Sequence, residues 1–533
     1  MSLARNTFVQ ASLTLASRIL GFARDLAANY RFGQGPYMDA FATALMFPNL
    51  FRRLFAEGAF AQAFVPIYAK ERAEHGEESA DKVASDALSF LMTIVAGLCI
   101  AAQIAMPWLM PILLSAYVHD QHTMQIATLM TQLTMPYLAC MTLASLLSGV
   151  LNTAGRFGLS AGVPILLNLC TIGPLLFSPN REAAAIATAI AVTVAGVLQA
   201  GLLWWGAARI GVKLRPGLPM LTEAVKRVVW LAIPGALAGG AMQINTLVSQ
   251  FLTGSDEGAR SVLYNSDRLY QLPLGLIGVA VGLALVPRLA RHYVANETEA
   301  ASASMDDAIG LSMAFTVPAA VAFLIMPYFI IDATVTRGLF THQDAHRTAE
   351  VLRQFAWGVP AFVLAKVFTP PFFARQDTRR PMQFAVSSVV VNTLLGATLF
   401  FSLPHVGVDG VIGLGIATSV AGWLNVILLA STLAREKVYR VGAKAWARFT
   451  RLGVACLIMG GFVAACAANY ERLSHLLLRK EFAVIVVASA AFLLYSLAAL
   501  ALRAVTLSEI RGALRRERGA PAGGGALPPG LDG

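Results

Sequence analysis

Four arginines lie inside the first two long apolar stretches of the chain: Arg18, Arg24, Arg52 and Arg53. They occur in Ser17-Arg18-Ile19-Leu20-Gly21-Phe22-Ala23-Arg24-Asp25 and in Pro48-Asn49-Leu50-Phe51-Arg52-Arg53-Leu54-Phe55-Ala56-Glu57-Gly58. An arginine at the centre of a bilayer costs about 2.5–3.5 kcal/mol on insertion scales. Several together imply a wet, protein-lined cavity and an anionic partner. Arginine is an informative choice, because its planar fork takes phosphate oxygens in pairs and stays charged when partly desolvated. Several converging forks suit a diphosphate better than a carboxylate. On an ideal helix Arg18 and Arg24 point about 120° away from each other, and Gly21 between them permits local bending.

The second half of the chain answers with fewer charges. Its opening span, 225–252, offers Gln243 and Asn245, and the next contributes Asp267-Arg268 within Tyr264-Asn265-Ser266-Asp267-Arg268-Leu269-Tyr270-Gln271-Leu272-Pro273. The cavity is therefore expected to be cationic toward the first half, with Arg268 reaching in from the second. Asp25 and Asp267 stand next to arginines and could serve as simple charge compensation, since intramembrane acids usually pair with bases. Glu57 is expected to hold Arg52 or Arg53, one of which could snorkel. Lys366 reads as a packing or snorkelling residue. Catalysis finds little support: all eight histidines fall in loops or at span ends, and no G-x-S-x-G, Walker loop or H-E-x-x-H occurs. An ATP-driven pump is excluded on the same ground, and no cofactor or metal is expected.

These residues need elements that cross a membrane. The 533 residues are 57% hydrophobic and 13% charged, about half the charge of a soluble domain, with a mean hydropathy of +0.64. Net charge is +11, but the bases concentrate between apolar spans, where orientation in a membrane explains them and nucleic acid is not needed. The five cysteines lie in apolar segments with no C-x-x-C pair, so neither disulfides nor zinc are indicated. No cleavable signal is visible, and the first span is expected to direct insertion. Fourteen spans are read, near 8–32, 37–68, 86–114, 124–152, 158–178, 183–208, 224–252, 259–290, 305–332, 347–373, 381–402, 410–434, 447–468 and 481–503. Pro48, Pro66, Pro136, Pro234, Pro273, Pro287 and Pro360 lie inside them and favour bent or broken helices.

Lys70/Arg72/Lys82, Arg209/Lys213/Arg215/Lys226/Arg227, Arg375/Arg379/Arg380 and Arg435/Lys437/Arg440/Lys444/Arg448 fall on the side of the N-terminus, with the Arg511–Arg518 tail. The other side is thinner, with Arg181, Arg260, Arg337, Arg347, Arg472, Arg479 and Lys480, and its loops Ser115–Thr123 and Pro404–Asp409 carry no base. Both termini are therefore expected to be cytoplasmic. An internal repeat is also visible. Pro136 to Asn168 and Pro360 to Asn392 share one spacing and one layout, and Phe64-Val65-Pro66 echoes Leu285-Val286-Pro287. An offset of about 220 residues covers six spans, so both halves insert in the same orientation, related by a pseudo-two-fold axis along the membrane normal. The expected architecture is an all-α polytopic membrane protein. It has a first six-helix lobe over 1–215, a second over 216–440, two extra spans over 441–505, and a basic, disordered tail over 506–533.

The first two motifs, together with Asp39-Ala40-Phe41, Asp267-Arg268-Leu269 and Arg375-Gln376-Asp377, closely resemble the MurJ (MviN) lipid II flippases. These belong to the multidrug/oligosaccharidyl-lipid/polysaccharide exporter superfamily, and the fourteen-span count matches across nearly the whole chain. The resemblance implies that Arg18, Arg24, Arg52 and Arg268 are required substrate-binding positions, supported by Asp25, Asp39, Asn49, Arg53, Glu57, Ser261 and Asp267. It implies a prenyl-tail groove formed by the last two spans. It further implies a bacterial inner-membrane location, lipid II and membrane lipids as partners, and cell-wall synthesis proteins as further ones. The expected activity is movement of undecaprenyl-diphosphate-linked peptidoglycan precursor to the outer leaflet by alternating access. A flippase for another prenyl-diphosphate glycan is the nearest alternative. A cation-coupled drug exporter would need buried acids in excess, and a prenyl-diphosphate phosphatase a catalytic cluster at one face.

Overall fold

Side chains in the loops start many of the helices. Asp120 Oδ1 accepts from the Thr123 N–H at 3.1 Å, Asn180 Oδ1 from the Ala183 N–H at 2.7 Å, and Thr341 and Asp344 form a reciprocal capping box. The computed structural model describes residues 3–51, 59–295, 297–375, 377–476 and 479–504, and its regular structure is helical throughout. The helices are α1 (Leu3–Phe32), α2 (Pro36–Phe51), α3 (Ala59–Leu113), α4 (Gln121–Thr134), α5 (Tyr137–Thr153), α6 (Phe157–Phe177) and α7 (Arg181–Arg209). After a linker come α8 (Glu223–Thr253), α9 (Ala259–Val294), α10 (Thr298–Ile325), α11 (Pro327–Thr334), α12 (His342–Ala356), α13 (Val359–Phe368), α14 (Pro370–Ala374), α15 (Arg379–Ser402) and α16 (Gly410–Arg435). The last are α17 (Ala443–Ala468), α18 (Tyr470–Leu476) and α19 (Lys480–Ala501).

Among the described residues, ten stretches are long and apolar enough to cross a membrane. The pairs α4–α5 and the run α12–α14 each count as one, while α1, α2, α8 and α9 are not in the ten. One expectation is corrected. The charged segment 69–85, read as a loop, is helical, and α3 runs through it with only Gly76 (φ 87°, ψ −178°) turning the chain. That segment is rich in Ala, Glu and Lys, and it pairs Lys70 with Glu74 at 3.6 Å one turn apart. The charges make it an aqueous extension of the helix, and the one glycine redirects it.

Proline breaks the chain at Pro136, between α4 and α5, and at Pro360, in the first turn of α13 just after α12 stops. In both places a residue without an N–H sits where a new helix begins and an old one cannot continue. At Pro48 and Pro66 no break is seen, and the helices run on through them. The two broken spans precede α6 and α15, which carry the buried residues Asn168 and Asn392, so the repeat seen in the sequence is also one of structure.

Within the first set of helices α1 lies on α6, α6 and α5 on α7, α5 on α3, and α2 on α4. Within the second, α15 lies on α16, α9 on α10 and α12, and α13 on α16. Helix α8 touches both, packing on α3 and on α15. Helices α17 and α19 pair with each other and lean on α10 and α11, sharing Met459, Val463, Val487 and Tyr495 in a core whose Tyr495 hydroxyl donates to the Ala314 carbonyl at 2.7 Å.

Candidate functional site

Helices α1 and α9 face each other along a column of polar side chains. Arg24 and Asp25 leave α1 about 12 Å below its Phe32 end, at 1.5 Å per residue, and Arg268 stands at a similar depth on α9. Arg24 donates to Asp25 Oδ1 through Nη2 (2.7 Å) and Nε (3.1 Å). Its Nη1 donates to Asn168 Oδ1 at 3.3 Å. Arg268 Nε lies 3.4 Å from the other carboxylate oxygen, Oδ2. The Tyr264 hydroxyl joins the group: it donates to Asp25 Oδ1 at 2.8 Å and accepts from Arg24 at 3.4 Å and Arg268 at 3.3 Å. The Arg268 guanidinium also stands over the Tyr264 ring, 4.9 Å from its centre. Two guanidiniums from opposite halves of the molecule thus share one carboxylate and one phenol. Arg24 and Asp25 are buried, whereas the Arg268 side chain keeps 37% of its surface exposed.

Helix α1 is continuous through Gly21. Asn168 of α6 stands beside Gly21, where an added Cβ would meet its amide at an ordinary 3.6 Å, and Asn168 Nδ2 donates to the Ser17 carbonyl at 3.0 Å. On this continuous helix Arg18 and Arg24 point away from each other, Arg18 exposed and Arg24 buried. Lys366, on α13, is exposed as well. One turn beyond Asp25, Asn29 and Asn265 exchange two hydrogen bonds at 2.7 and 2.8 Å.

Beyond that pair the two halves are joined. Asp39, fully buried on α2, takes the N–H groups of Gly258 (3.0 Å) and Ser261 (2.8 Å), which are orphan donors at the start of α9. Gly258 has no side chain with which to cap its own helix, and the positive end of the α9 dipole favours the carboxylate. Tyr117, in a 3-10 turn after α3, donates to Asp39 Oδ2 at 2.9 Å, and burial followed by the Asp39 charge pushes its phenol pKa up. Arg260 is fully buried beside them, donating to Thr43 Oγ1, to the Leu113 carbonyl at 2.6 Å and to the Gln250 carbonyl. Counted above among the bases of the thinly charged side, Arg260 is buried in the first turn of α9. Further ties run from Leu339 N–H to the Tyr30 carbonyl (3.0 Å) and from Gln34 Nε2 to Thr348 Oγ1 (2.6 Å).

The structure brings together Arg24, Asp25 and Arg268, and separately Asp39 and Ser261. Asp267 takes a hydrogen bond from Gln271 one turn along α9, while the ion-pair contact of Arg268 is with Asp25. Asn49 is half-buried in the last turn of α2. Arg52, Arg53 and Glu57 lie outside the described residues. Sequence reasoning missed Tyr264, Asn29, Asn265, Asn168, Tyr117 and Arg260 as partners. For Asn29 and Asn265 a signal was present, since Asp25/Asn29 and Ser261/Asn265/Arg268 fall at helical spacing on one stripe of each helix.

A polytopic helical protein whose two halves meet around paired charges in its interior has the build of a membrane transporter. A profile described as "Lipid II flippase MurJ" matches residues 28–488. The "Probable lipid II flippase MurJ" of Rhizobium tropici is 36% identical over 98% of both chains, and that of Rhizobium meliloti (strain 1021) is 38% identical over 86% of both. Among solved structures, "Lipid II flippase MurJ, inward closed conformation" superposes with a TM-score of 0.74 at 23% identity, covering 96% of this chain and 100% of the other. The chain belongs to the MurJ family of lipid II flippases, which are transporters and not enzymes.

Proposed function

We propose that the Arg24–Arg268 pair holds the diphosphate of lipid II while the protein carries that head group from the cytoplasmic to the periplasmic leaflet of a bacterial inner membrane. The observation that carries this reading is the convergence of two guanidiniums from opposite halves on one carboxylate, Asp25. Asp25 acts as an internal anion, keeping both forks aimed and their charge compensated in a buried place. A diphosphate has more charge and more oxygens than one carboxylate, so it exchanges for Asp25 at the forks, and Arg18 extends the cationic wall toward the cytoplasm. Arg52 joins this set by family resemblance.

The excess of bases on the N-terminal side supports cytoplasmic termini and fourteen crossings, with α1, α2, α8 and α9 completing the ten apolar spans. The end where Asp39 caps α9 then faces the periplasm, and this arrangement is closed there. Alternating access follows if the halves part at that end after the head group has entered from the other. Helices α17 and α19, packed on α10 and α11, are the elements left to carry the prenyl tail in the 441–505 unit. An inside-negative potential favours outward movement of an anion by about 2.3 kcal/mol per charge per 100 mV, which supplies a driving force without ATP.

The test is complementation of a strain depleted of its lipid II flippase, with outer-leaflet lipid II as the readout. Wild type restores growth, and Arg24→Ala and Arg268→Ala do not. Growth with Arg18, Arg24 and Arg268 all replaced by alanine would end the proposal. Partial function with lysine at these positions would show that charge outweighs fork geometry.

A further inference from the structure

A second cationic constellation lies away from the cavity, where α7 ends and the linker between the halves begins. Trp204 and Trp205 stand one turn before the end of α7, and the Arg209 guanidinium lies over the Trp205 ring, 4.1 Å from its centre. Gly211 (φ 88°) then closes the helix, with the Val212 N–H on the Ala207 carbonyl (3.2 Å) and the Gly211 N–H on the Ala208 carbonyl (3.1 Å). These bonds satisfy the last carbonyls of α7 and mute the negative end of its dipole, which would otherwise repel an anion.

The linker next runs along α3 as a strap. The backbone N–H groups of Lys213, Arg215 and Gly217 donate to Asp81 Oδ2 (2.7 Å), Ser85 Oγ (3.0 Å) and Ser89 Oγ (2.9 Å). Acceptors four residues apart on a helix are spaced about 6 Å, and alternate residues of an extended chain about 6.6 Å, so the two periods match over the two steps that join the three bonds. The main chain is thereby fixed while Val212 and Leu214 turn inward and Lys213 and Arg215 remain exposed. Between strap and helix is a cavity of about 240 Å³ lined by Trp204, Ala207, Val212, Lys213, Leu214 and Arg215. Its lining contains two bases and no acid. On α7, exposed Ile190, Val194, Val197 and Leu198 lead along the helix toward Trp205, an apolar surface that acyl chains would cover.

We propose that this cavity is a headgroup site for an anionic phospholipid of the cytoplasmic leaflet, with Lys213 and Arg215 receiving the phosphodiester and Trp204 supporting its glycerol. The leaflet assignment rests on the orientation given under the proposed function. Bases and tryptophans together at a membrane boundary favour a lipid phosphate over a soluble one. The site lies on the segment that joins the two halves, so a lipid bound better in one arrangement of the strap biases the equilibrium between arrangements.

The experiment uses the full chain purified in detergent, with retained lipid counted by native mass spectrometry. The probes are dioleoylphosphatidylglycerol, dioleoylphosphatidylcholine and, separately, inorganic phosphate. Wild type retains phosphatidylglycerol in preference to phosphatidylcholine, and Lys213→Gln with Arg215→Gln lowers that retention by about tenfold or more, the scale of two basic contacts at a charged surface. Because the strap uses main-chain N–H groups, these substitutions leave it in place. Lys213→Arg with Arg215→Lys restores retention, and Lys437→Gln with Arg440→Gln, an equal loss of charge elsewhere, leaves it unchanged. Equal retention in the double glutamine variant overturns the proposal. Displacement of the lipid by millimolar inorganic phosphate overturns it as well, in favour of a soluble-anion site. Arg24→Ala with Arg268→Ala retains phosphatidylglycerol as wild type does, which separates this result from the fate of the lipid II site.

Discussion

Tyr264 is the residue on which the candidate site turns. Its hydroxyl touches Arg24, Asp25 and Arg268 together, donating to the acid and accepting from both bases. Tyr264→Phe keeps the ring beneath Arg268 and removes only those three bonds. Hydrogen bonds to charged groups contribute about 1.5–3 kcal/mol, so a loss of stability of that order is expected in chemical denaturation, together with weaker complementation. A loss below about 0.5 kcal/mol would falsify the bridging role. At this scale legibility followed charge. Arg24, Asp25 and Arg268 stand out because ions in apolar text are costly and rare. Tyr264 does not, since a tyrosine in a span more often packs or marks an interface. Asn168 was visible as a mark of the repeat, but its contact with Arg24 depends on how closely α6 approaches Gly21, which no local pattern encodes.

Among the elements, the spans themselves were readable from apolar length, and the breaks at Pro136 and Pro360 from backbone chemistry. The helical continuation of α3 through its charged segment was not, because charge marks contact with water and not the absence of a helix. The turn between α14 and α15 shows how such charges are used. Arg375 Nη1 lies 2.7 Å from Glu436 Oε2, just past the end of α16, and Arg380 takes the other carboxylate oxygen. The hydrogen bond from Arg375 holds the Glu436 carboxyl below the usual glutamate range, with the Arg375 charge and Arg380 acting the same way and burial opposing them. A depressed carboxylate stabilises the fold at pH values above its unfolded pKa of about 4.3, and that contribution is lost as pH falls through the lower folded value. All three side chains are partly exposed, so the contribution is no more than about 1 kcal/mol. The expected outcome is a melting temperature that falls between pH 7 and pH 4, and falls less in Glu436→Gln. An identical decline in both proteins would remove this bridge from the account.

For the whole molecule, the joined end is the feature with the widest reach. Gly254 sits so close to α3 that an added Cβ would lie 1.8 Å from the Leu113 carbonyl oxygen, a backbone atom that cannot step aside cheaply. Its own carbonyl accepts the Ala116 N–H at 2.9 Å. Gly254→Ala therefore penalises the closed arrangement by about 1–3 kcal/mol or more, crowding Arg260 Nη2 at 3.0 Å as well but leaving Arg24 and Arg268 alone. Faster deuterium exchange at the Gly258 and Ser261 amides is the expected readout, and unchanged protection would show that the seam tolerates the methyl. The two-half plan and its repeat were legible because they are written as long-range spacing. The seam was not, because Asp39 and Arg260 gain meaning only when residues more than two hundred positions apart meet.

Asp39 belongs to one half, yet it finishes the first turn of a helix in the other. If the halves part there, as the proposed function requires, α9 loses the acceptor for its first amides while Asp39 keeps only the Tyr117 hydroxyl. Water must then supply the missing hydrogen bonds, so opening carries a cost written into the backbone of α9.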